Sequence, residues 1–139
     1  VSVAELFTDL KKLFPEEEFQ FEVPSPELKL NVDRTQIEQI LINLLKNARE
    51  ACSRKSDKKI QVKARKLSAG NTTLTISDNG EGILPDVLDK IFVPFFTTKT
   101  SGSGIGLSLC KQIMTLHEGS INVKSEVGKG SSFILTFPK

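Results

Sequence analysis

The chain has 139 residues and a mass of 15.3 kDa, enough for one domain whose core needs no disulfide or metal. Lys and Arg number 19 and Asp and Glu number 17, and the net charge of +2 argues against a general nucleic-acid or membrane-surface binder. All 9 aromatic residues are Phe, which disfavours a stacking surface for nucleic acid. Two isolated cysteines without a secretion signal predict a cytoplasmic location, with a membrane-anchored parent left open, and a start at Val rather than Met indicates an excised part of a longer chain.

The first part of the chain is predicted to form one helix and two short strands. Apolar residues at helical spacing predict a helix over 2–14, which Pro15 ends. Alternating apolar residues predict strands over 18–23 and 28–32, separated by a Pro-Ser-Pro turn.

The longest helix is predicted to start after Asp33 and to end near Cys52. Asp33 is a favourable N-cap, and Gln36 stands three residues later, at the spacing of a capping box. A continuous apolar stripe along this segment predicts that one side of the helix packs on the core. The strands predicted next, over 60–64 and 74–76, form a hairpin around a Gly-Asn turn.

The second half of the chain is predicted to alternate turns, helices and a hairpin. The predicted segments are a glycine-rich turn over 78–82, a short helix over 85–91, a loop over 92–104, a helix over 106–117 and paired strands over 120–124 and 133–137. Because helices and hairpins alternate in this order, we predict an α+β fold, with a mixed, mostly antiparallel sheet and helices packed on one face.

Three polar residues lie together on one edge of the predicted long helix: Asn43, Asn47 and Glu50. Asn is a mediocre helix former, so two of them four residues apart are locally unfavourable. The Asn amide oxygen is a ligand suited to Mg²⁺, which takes few protein ligands and keeps several waters. These residues are candidates for a metal site, with an ordinary solvent-facing helix edge as the alternative.

A glycine-rich turn follows the strand predicted to end near Asp78. A carboxylate at a strand end can accept a hydrogen bond from an exocyclic amine, and Gly80 and Gly82 would let a flat ring approach the backbone. Asp-Asn-Gly is also a strong turn former, so an ordinary turn is the alternative.

A second glycine-rich segment, with Gly102, Gly104 and Gly106, opens the helix predicted over 106–117. Exposed backbone N–H groups and the positive end of the helix dipole attract phosphate. Leu109 stands where the dinucleotide fingerprint requires glycine, and no Gly-Lys-Ser/Thr occurs at P-loop spacing. The segment is therefore a candidate phosphate site of another kind, or a flexible linker.

An apolar loop separates the two glycine-rich segments. Phe92, Phe95 and Phe96 are expected either to fill the core or to dock a partner, and Lys99 could meet a phosphate as a point charge. The later segment 128–130 by itself indicates only a hairpin turn.

The order and spacing of these motifs are more specific than any one of them. Asn-x-x-x-Asn, Asp-x-Gly-x-Gly, Phe-Phe-Thr-Thr-Lys, Gly-x-Gly-x-Gly-Leu and Gly-x-Gly-Ser-x-Phe follow one another between Asp33 and Pro138. The succession resembles the N, G1, F, G2 and G3 boxes of the ATP-binding catalytic domain of sensor histidine kinases, which belongs to the GHKL ATPase superfamily. The short lid and the sequence Asn-Ala-Arg-Glu-Ala look most like the nitrogen-regulation type of kinase.

The resemblance implies a GHKL α/β sandwich over residues 1–139 that binds Mg²⁺-ATP and transfers its γ-phosphoryl group. By this resemblance Asn47 coordinates Mg²⁺, Asn43 lines the phosphates and Lys99 helps to hold them, so that these three are the catalytic set. Asp78 would accept the adenine amino group, and Ser132 would support adenine through water. The other residues implied to contact nucleotide are Glu50, Ala51, Gly80, Gly82, Ile83, Phe92, Thr98, Gly102, Ser103, Gly104, Ile105, Gly106 and Leu107.

The resemblance also implies partners. The phosphate acceptor would be a histidine on a separate helical dimerisation domain preceding Val1, which would dock against Phe95 and Phe96. A response regulator would receive the phosphoryl group indirectly, the parent protein would be a homodimer, and this fragment would be a monomer that binds no nucleic acid. His117 is expected to cap or pack a helix rather than to accept phosphate.

Two questions stay open from the sequence: which kind of GHKL protein this is, and whether Arg49 or Glu50 reaches the phosphates. The chain could be a related GHKL protein, such as an anti-sigma serine kinase or an ATP-hydrolysing domain, or a degenerate nucleotide-binding scaffold. GHKL hydrolases often carry a water-activating Glu where Asn43 stands here, and Asn is a poor base, which fits transfer to a protein. Glu50 stands where many relatives carry a basic residue, and Arg49 is turned from it by about 100°, so either could reach the phosphates.

Overall fold

A computed structural model describes residues 1–22, 25–94 and 106–139 of the chain. The elements in these ranges are α1 (Val3–Leu13), β1 (Phe19–Glu22), α2 (Arg34–Ala51), β2 (Ile60–Lys66), β3 (Thr72–Asp78), α3 (Pro85–Leu88), α4 (Gly106–Leu116), β4 (Ser120–Glu126) and β5 (Gly130–Phe137). The strands form one sheet in the order β1-β2-β3-β5-β4. β1 runs parallel to β2, and every other neighbouring pair is antiparallel, which confirms the predicted mixed sheet.

The long helix α2 begins where its cap was predicted. Asp33 Oδ1 accepts a hydrogen bond from the N–H of Gln36 at 3.0 Å, which satisfies one of the donors left unpaired at a helix start. The apolar stripe of α2 is buried; its members are Ile37, Ile40, Leu41, Leu44, Leu45 and Ala48. No helix in the described parts of the chain is long and apolar enough to span a membrane.

The two faces of the sheet differ in chemistry because successive side chains alternate between them. One face is apolar, packs against the helices and carries buried Ile60, Val62, Leu74, Ile76, Phe133, Leu135 and Phe137. The other face is polar, and on it the hydroxyl oxygens of Ser77 and Ser132 lie 2.8 Å apart across β3 and β5. The helices therefore cover one face only, as the order of elements predicted.

The strand predicted over 28–32 is wrong. Its backbone instead pairs with the start of the chain, through a single bridge between Ser2 and Lys29 and hydrogen bonds that join Val3 N to Leu28 O and Leu30 N to Val1 O. Leu28 and Leu30 still turn towards the core, so the alternation reflects packing rather than membership of the sheet. The helix predicted over 85–91 is also too long, because α3 ends at Leu88 and turns follow.

His117 has the structural role that was expected of it. Its Nδ1 lies 2.8 Å from the carbonyl oxygen of Ile113, and its Nε2 accepts the N–H of Asp33 at 3.1 Å. Since a carbonyl can only accept and an N–H can only donate, these partners select the neutral ring with the proton on Nδ1. The side chain thus joins the end of α4 to the cap of α2.

Candidate functional site

Asp78 is the last residue of the central strand β3 and lies beside the end of α2. Its Oδ1 accepts the backbone N–H of Gly80 at 2.9 Å, and the backbone of Ser131 also hydrogen-bonds to its carboxylate. Burial raises the pKa of Asp78, and these two hydrogen bonds oppose part of that rise. A partly desolvated carboxylate gains from a further donor, so this oxygen pair is suited to accept an N–H group of a ligand.

The loop from Asp78 to Ile83, which we call the G1 loop, is held from two sides. On one side the N–H of Glu81 donates to the Ala51 carbonyl at the end of α2, at 3.2 Å. On the other side the N–H of Ile83 donates to Ser125 Oγ at 2.7 Å. The loop therefore bridges α2 and the hairpin of β4 and β5.

The two glycines of the G1 loop have a packing reason that the sequence did not reveal. A Cβ at Gly80 would overlap the Ala51 carbonyl group, and a Cβ at Gly82 would overlap the carbonyl group of Glu126. Gly82 also has a φ of +78°, which side-chain-bearing residues rarely adopt. Close contact between main-chain segments is therefore enough to explain both glycines. The prediction that they make room for a flat ring remains a prediction.

The polar edge of α2 meets the start of α4. Asn43 and Asn47 are half-buried on this edge, and a Cβ built on Gly106 would lie 3.4 Å from Asn43 Oδ1. Asn43 also hydrogen-bonds to the thiol of Cys110 in α4, and burial raises the pKa of that thiol to about 12. The structure thus brings Asn43 close to the helix end that was predicted to attract phosphate, and Asn47 lies one turn further along the same edge of α2.

The neighbouring residues Arg49 and Glu50 point to different parts of the molecule. The Arg49 guanidinium lies 4.9 Å from the ring centre of Phe14 and 5.4 Å from that of Phe19. It also forms an ion pair with Glu16 at 3.2 Å. Arg49 therefore packs on the side of α2 that faces α1 and β1, away from the edge with the two asparagines, whereas Glu50 is exposed.

The structure gives Ser132 and its neighbour Ser131 different surroundings, and the contact implied between Ser132 and adenine stays a prediction. The Ser132 hydroxyl lies next to the Ser77 hydroxyl on the polar face of the sheet, whereas Asp78 and Ser131 lie on the opposite face, which packs against the helices. Ser131 is the residue that pairs with Asp78 across β3 and β5, and it is also the serine of the Gly-x-Gly-Ser-x-Phe motif. The two serines are adjacent, and in a strand one residue reverses the face.

Three residues at this site were missed from the sequence: Asn79, Ser125 and Ser131. Ser125 Oγ lies 2.9 Å from Ser131 Oγ and 3.2 Å from the carbonyl of Gly130, besides accepting the N–H of Ile83. Ser131 could have been found by counting along the motif. The motif letters treat Asn79 as variable, and Ser125 lies outside all five motifs, so no signal indicated either of them.

A cavity of about 320 Å³ opens beside Asp78. Its walls are formed by Asp78, Lys124, Ser125, Glu126, Lys129, Gly130, Ser131 and Ser132. A larger groove of about 1220 Å³ lies at the far end of β3, near Thr72 and His117. Size does not decide between them: of the predicted ligand-binding residues, Asp78 and Ser132 line the smaller cavity, and none lines the larger groove.

Several predicted contacts lie at the edge of the described region or outside it. Phe92 is half-buried under the Lys111 ammonium, which lies 5.7 Å from the ring centre, and Ile83 and Leu107 pack partly against the core. The residues of the prediction that lie outside the described ranges are Phe95, Phe96, Thr98, Lys99, Gly102, Ser103, Gly104 and Ile105. In the described ranges no group of three or more His, Cys, Asp or Glu side chains could hold a metal ion.

Comparison with known proteins gives consistent matches over most of the chain. Residues 32–139 match the family model described as histidine kinase-, DNA gyrase B-, and HSP90-like ATPase. The sensor histidine kinase ZraS of Salmonella typhimurium is 39% identical over 110 residues, which are 79% of this chain and 23% of ZraS. The histidine-protein kinase AtoS of Escherichia coli is 42% identical over 109 residues, 78% of this chain and 18% of AtoS.

The fold matches a solved catalytic domain. The catalytic domain of histidine kinase ThkA superposes with a TM-score of 0.86 at 35% identity, over 100% of this chain and 93% of that one. The chain therefore spans nearly the whole of that excised domain, but less than a quarter of the length of ZraS or AtoS.

Proposed function

We propose that this chain, which belongs to the histidine kinase-, DNA gyrase B- and HSP90-like ATPase family, is the Mg²⁺-ATP-binding catalytic domain of a sensor histidine kinase. The observation that carries the proposal is the placement of Asp78. It is a partly desolvated carboxylate at the end of a strand, and the G1 loop around it is joined to α2 and to the β4–β5 hairpin. This arrangement suits recognition of an adenine amino group, which is a donor that guanine lacks at the same ring position.

The phosphates belong, in this proposal, near the other end of the site, between the polar edge of α2 and the start of α4. The N–H groups at the start of α4 and the positive end of its dipole favour negative charge. Asn43 lies within contact of Gly106 at that helix start, so a phosphate there would meet both the amide and the backbone. Lys99 and the glycines at 102 and 104 complete the site by resemblance alone.

The residues on the edge of α2 fit a magnesium ion. Mg²⁺ is usually held by one or two protein oxygens together with substrate phosphates and waters, and a half-buried Asn amide provides one such oxygen. Asn47 is the proposed ligand and Asn43 a neighbour of the phosphates. When bound, the ion would neutralise charge on the triphosphate.

The proposed reaction moves the γ-phosphoryl group of ATP to a histidine of another domain. The bond between Pγ and the bridging oxygen breaks, a P–N bond forms at the imidazole, and ADP and a proton are released. Such a transfer depends mainly on positioning and charge neutralisation. Asn43 is a poor base, so water attack would be slow and transfer to a protein would prevail.

The proposed partners are inferred from those of related proteins. The histidine kinase ThkA has been solved in complex with the response regulator TrrA, and that kinase superposes on 100% of this chain with a TM-score of 0.79 at 31% identity. We propose a helical dimerisation domain with the acceptor histidine as the direct partner, docked through Phe95 and Phe96, and a response regulator as the next acceptor. The parent would be a cytoplasm-facing homodimer and this domain a monomer.

The proposal is tested by calorimetry with a non-hydrolysable ATP analogue, with and without Mg²⁺. We expect Mg²⁺-dependent binding that Asn47→Ala weakens by about 10-fold or more, with an unchanged circular dichroism spectrum. Asn122→Ala, on an exposed position of β4, is the matched control. Absence of binding at millimolar nucleotide would overturn the proposal, and rapid phosphate release without an acceptor domain would favour a hydrolase instead.

A further inference from the structure

We infer that Asn79 is a positioning residue for nucleobase recognition, because its carboxamide joins the G1 loop to both the end of α2 and the segment before β2. The inference rests on the proposed function, since it concerns how Asp78 is held for the base. Asn79 follows Asp78 directly in the chain and is half-buried.

The Asn79 side chain makes three hydrogen bonds, and both ends of the amide take part. Its Oδ1 accepts the backbone N–H of Lys59 at 2.9 Å and the thiol of Cys52 at 3.5 Å. Its Nδ2 donates to the backbone carbonyl of Asp57 at 2.6 Å. The backbone adds a fourth bond, from the Asn79 N–H to the Lys59 carbonyl at 3.1 Å. An amide is required for this set, because a carboxylate cannot donate to a carbonyl.

These bonds connect the two halves of the proposed site. Cys52 is the C-cap of α2, the helix that carries Asn43 and Asn47 on the phosphate side. Asn79 stands beside Asp78 on the base side. One side chain therefore sets the position of the base-recognising carboxylate relative to the helix that serves the phosphates.

Asn79 also controls the orientation of the Asp78 carboxylate. The hydrogen bond from the Gly80 N–H to Asp78 Oδ1 closes a short turn across residue 79, so the backbone angles of Asn79 decide whether that bond can form. The N–H groups of Glu81 and Ile83 make their hydrogen bonds one and three residues beyond this turn. Without the Asn79 amide the turn would keep the main-chain bond from Asn79 to Lys59, and the carboxylate would keep its bond to the Ser131 backbone. The turn would lose its side-chain bonds to Asp57, Lys59 and Cys52, and the bond from Gly80 to Asp78 Oδ1 would therefore form in a smaller fraction of molecules.

The test separates recognition of the base from recognition of the phosphates. We expect Asn79→Ala to weaken ATP binding by about 10-fold while the affinity for inorganic tripolyphosphate with Mg²⁺ changes less than about twofold. Both are measured by calorimetry well below the unfolding midpoint, with the folded fraction checked by circular dichroism. Asn122→Ala is again the control, and it is expected to change neither affinity.

A second variant keeps the inference testable if Asn79→Ala does not fold. Asn79→Asp retains an acceptor for Lys59 and Cys52 but loses the donor to Asp57, and we expect it to lose ATP affinity with tripolyphosphate affinity retained. Equal weakening of both ligands, or a lower unfolding midpoint with unchanged ATP affinity, would overturn the inference, since a purely structural role predicts those results. If wild-type protein does not bind ATP at all, the proposed function fails; if it binds and Asn79→Ala binds equally well, only the role of Asn79 fails.

Discussion

Replacing Arg49 tests whether this residue supports the fold or the phosphates. Its guanidinium contacts the rings of Phe14 and Phe19, and each contact contributes about 0.5–1 kcal/mol at a partly exposed site. The ion pair with Glu16 contributes about 0.2–1 kcal/mol, since its two side chains are 43% and 42% exposed and water screens them. The three contacts share one side chain and overlap in energy, so we expect Arg49→Ala to lower the free energy of unfolding by about 1–2 kcal/mol.

The assay combines unfolding with ligand binding. A loss of this size should lower the thermal midpoint of a 139-residue domain by about 3–7 °C, and urea unfolding should give the same free energy. Arg49→Lys should recover only part of it, because an ammonium lacks the planar group that stacks on the rings. Exposed Arg54 provides the control, with Arg54→Ala expected within about 0.5 kcal/mol of wild type. Unchanged stability together with a tenfold loss of Mg²⁺-ATP affinity would refute this reasoning and place Arg49 at the phosphates.

Two further predictions concern titration and capping. Burial raises the pKa of Asp78 above its ordinary value of 3.8, so the folded state holds this proton to higher pH than the unfolded chain and its stability falls as pH rises through that window. Asp78→Asn should therefore gain stability relative to wild type from about pH 3 to about pH 7, and a difference in urea midpoints that does not vary with pH would contradict this. His117→Ala should cost about 1 kcal/mol through the lost bonds to Ile113 and Asp33 but leave ATP affinity unchanged, as calorimetry beside thermal unfolding would show.

The parts of the fold that local chemistry decides could be predicted from the sequence. Asp33 and Gln36 define the start of α2 within four residues, and the apolar stripe that follows needs only helical periodicity. The prediction of a strand over 28–32 was wrong because the pairing of this segment depends on a distant part of the chain. Its alternation is the same as that of a strand, but its hydrogen-bonding partner is the start of the chain at Ser2, which no local pattern reveals.

In the candidate site, too, local sequence predicted some features, and others depend on contacts between distant residues. Asp78 could be placed at a strand end from its neighbours alone, whereas the register of β3 against β5 shows that Ser131 is the residue opposite Asp78 and that Ser132 is opposite Ser77. Side chains reverse face at every residue of a strand, so an uncertainty of one residue exchanges a buried neighbour of Asp78 for a residue on the polar face. One residue also matters in α2, because Arg49 and Glu50 differ by about 100° around the helix and therefore face different surroundings.

The residues that hold the G1 loop could not be found by motif because most of their hydrogen-bonding partners are main-chain groups. Asn79 bonds to main-chain groups of Lys59 and Asp57, and Ser125 bonds to main-chain groups of Ile83 and Gly130. A main-chain partner presents the same N–H or carbonyl whatever its side chain is, so such contacts leave no pattern of paired residue types in the sequence. A base-recognition site of this kind therefore depends on two layers. A motif specifies the carboxylate that meets the ligand, and only the folded chain specifies the amide and hydroxyl that keep this carboxylate in place.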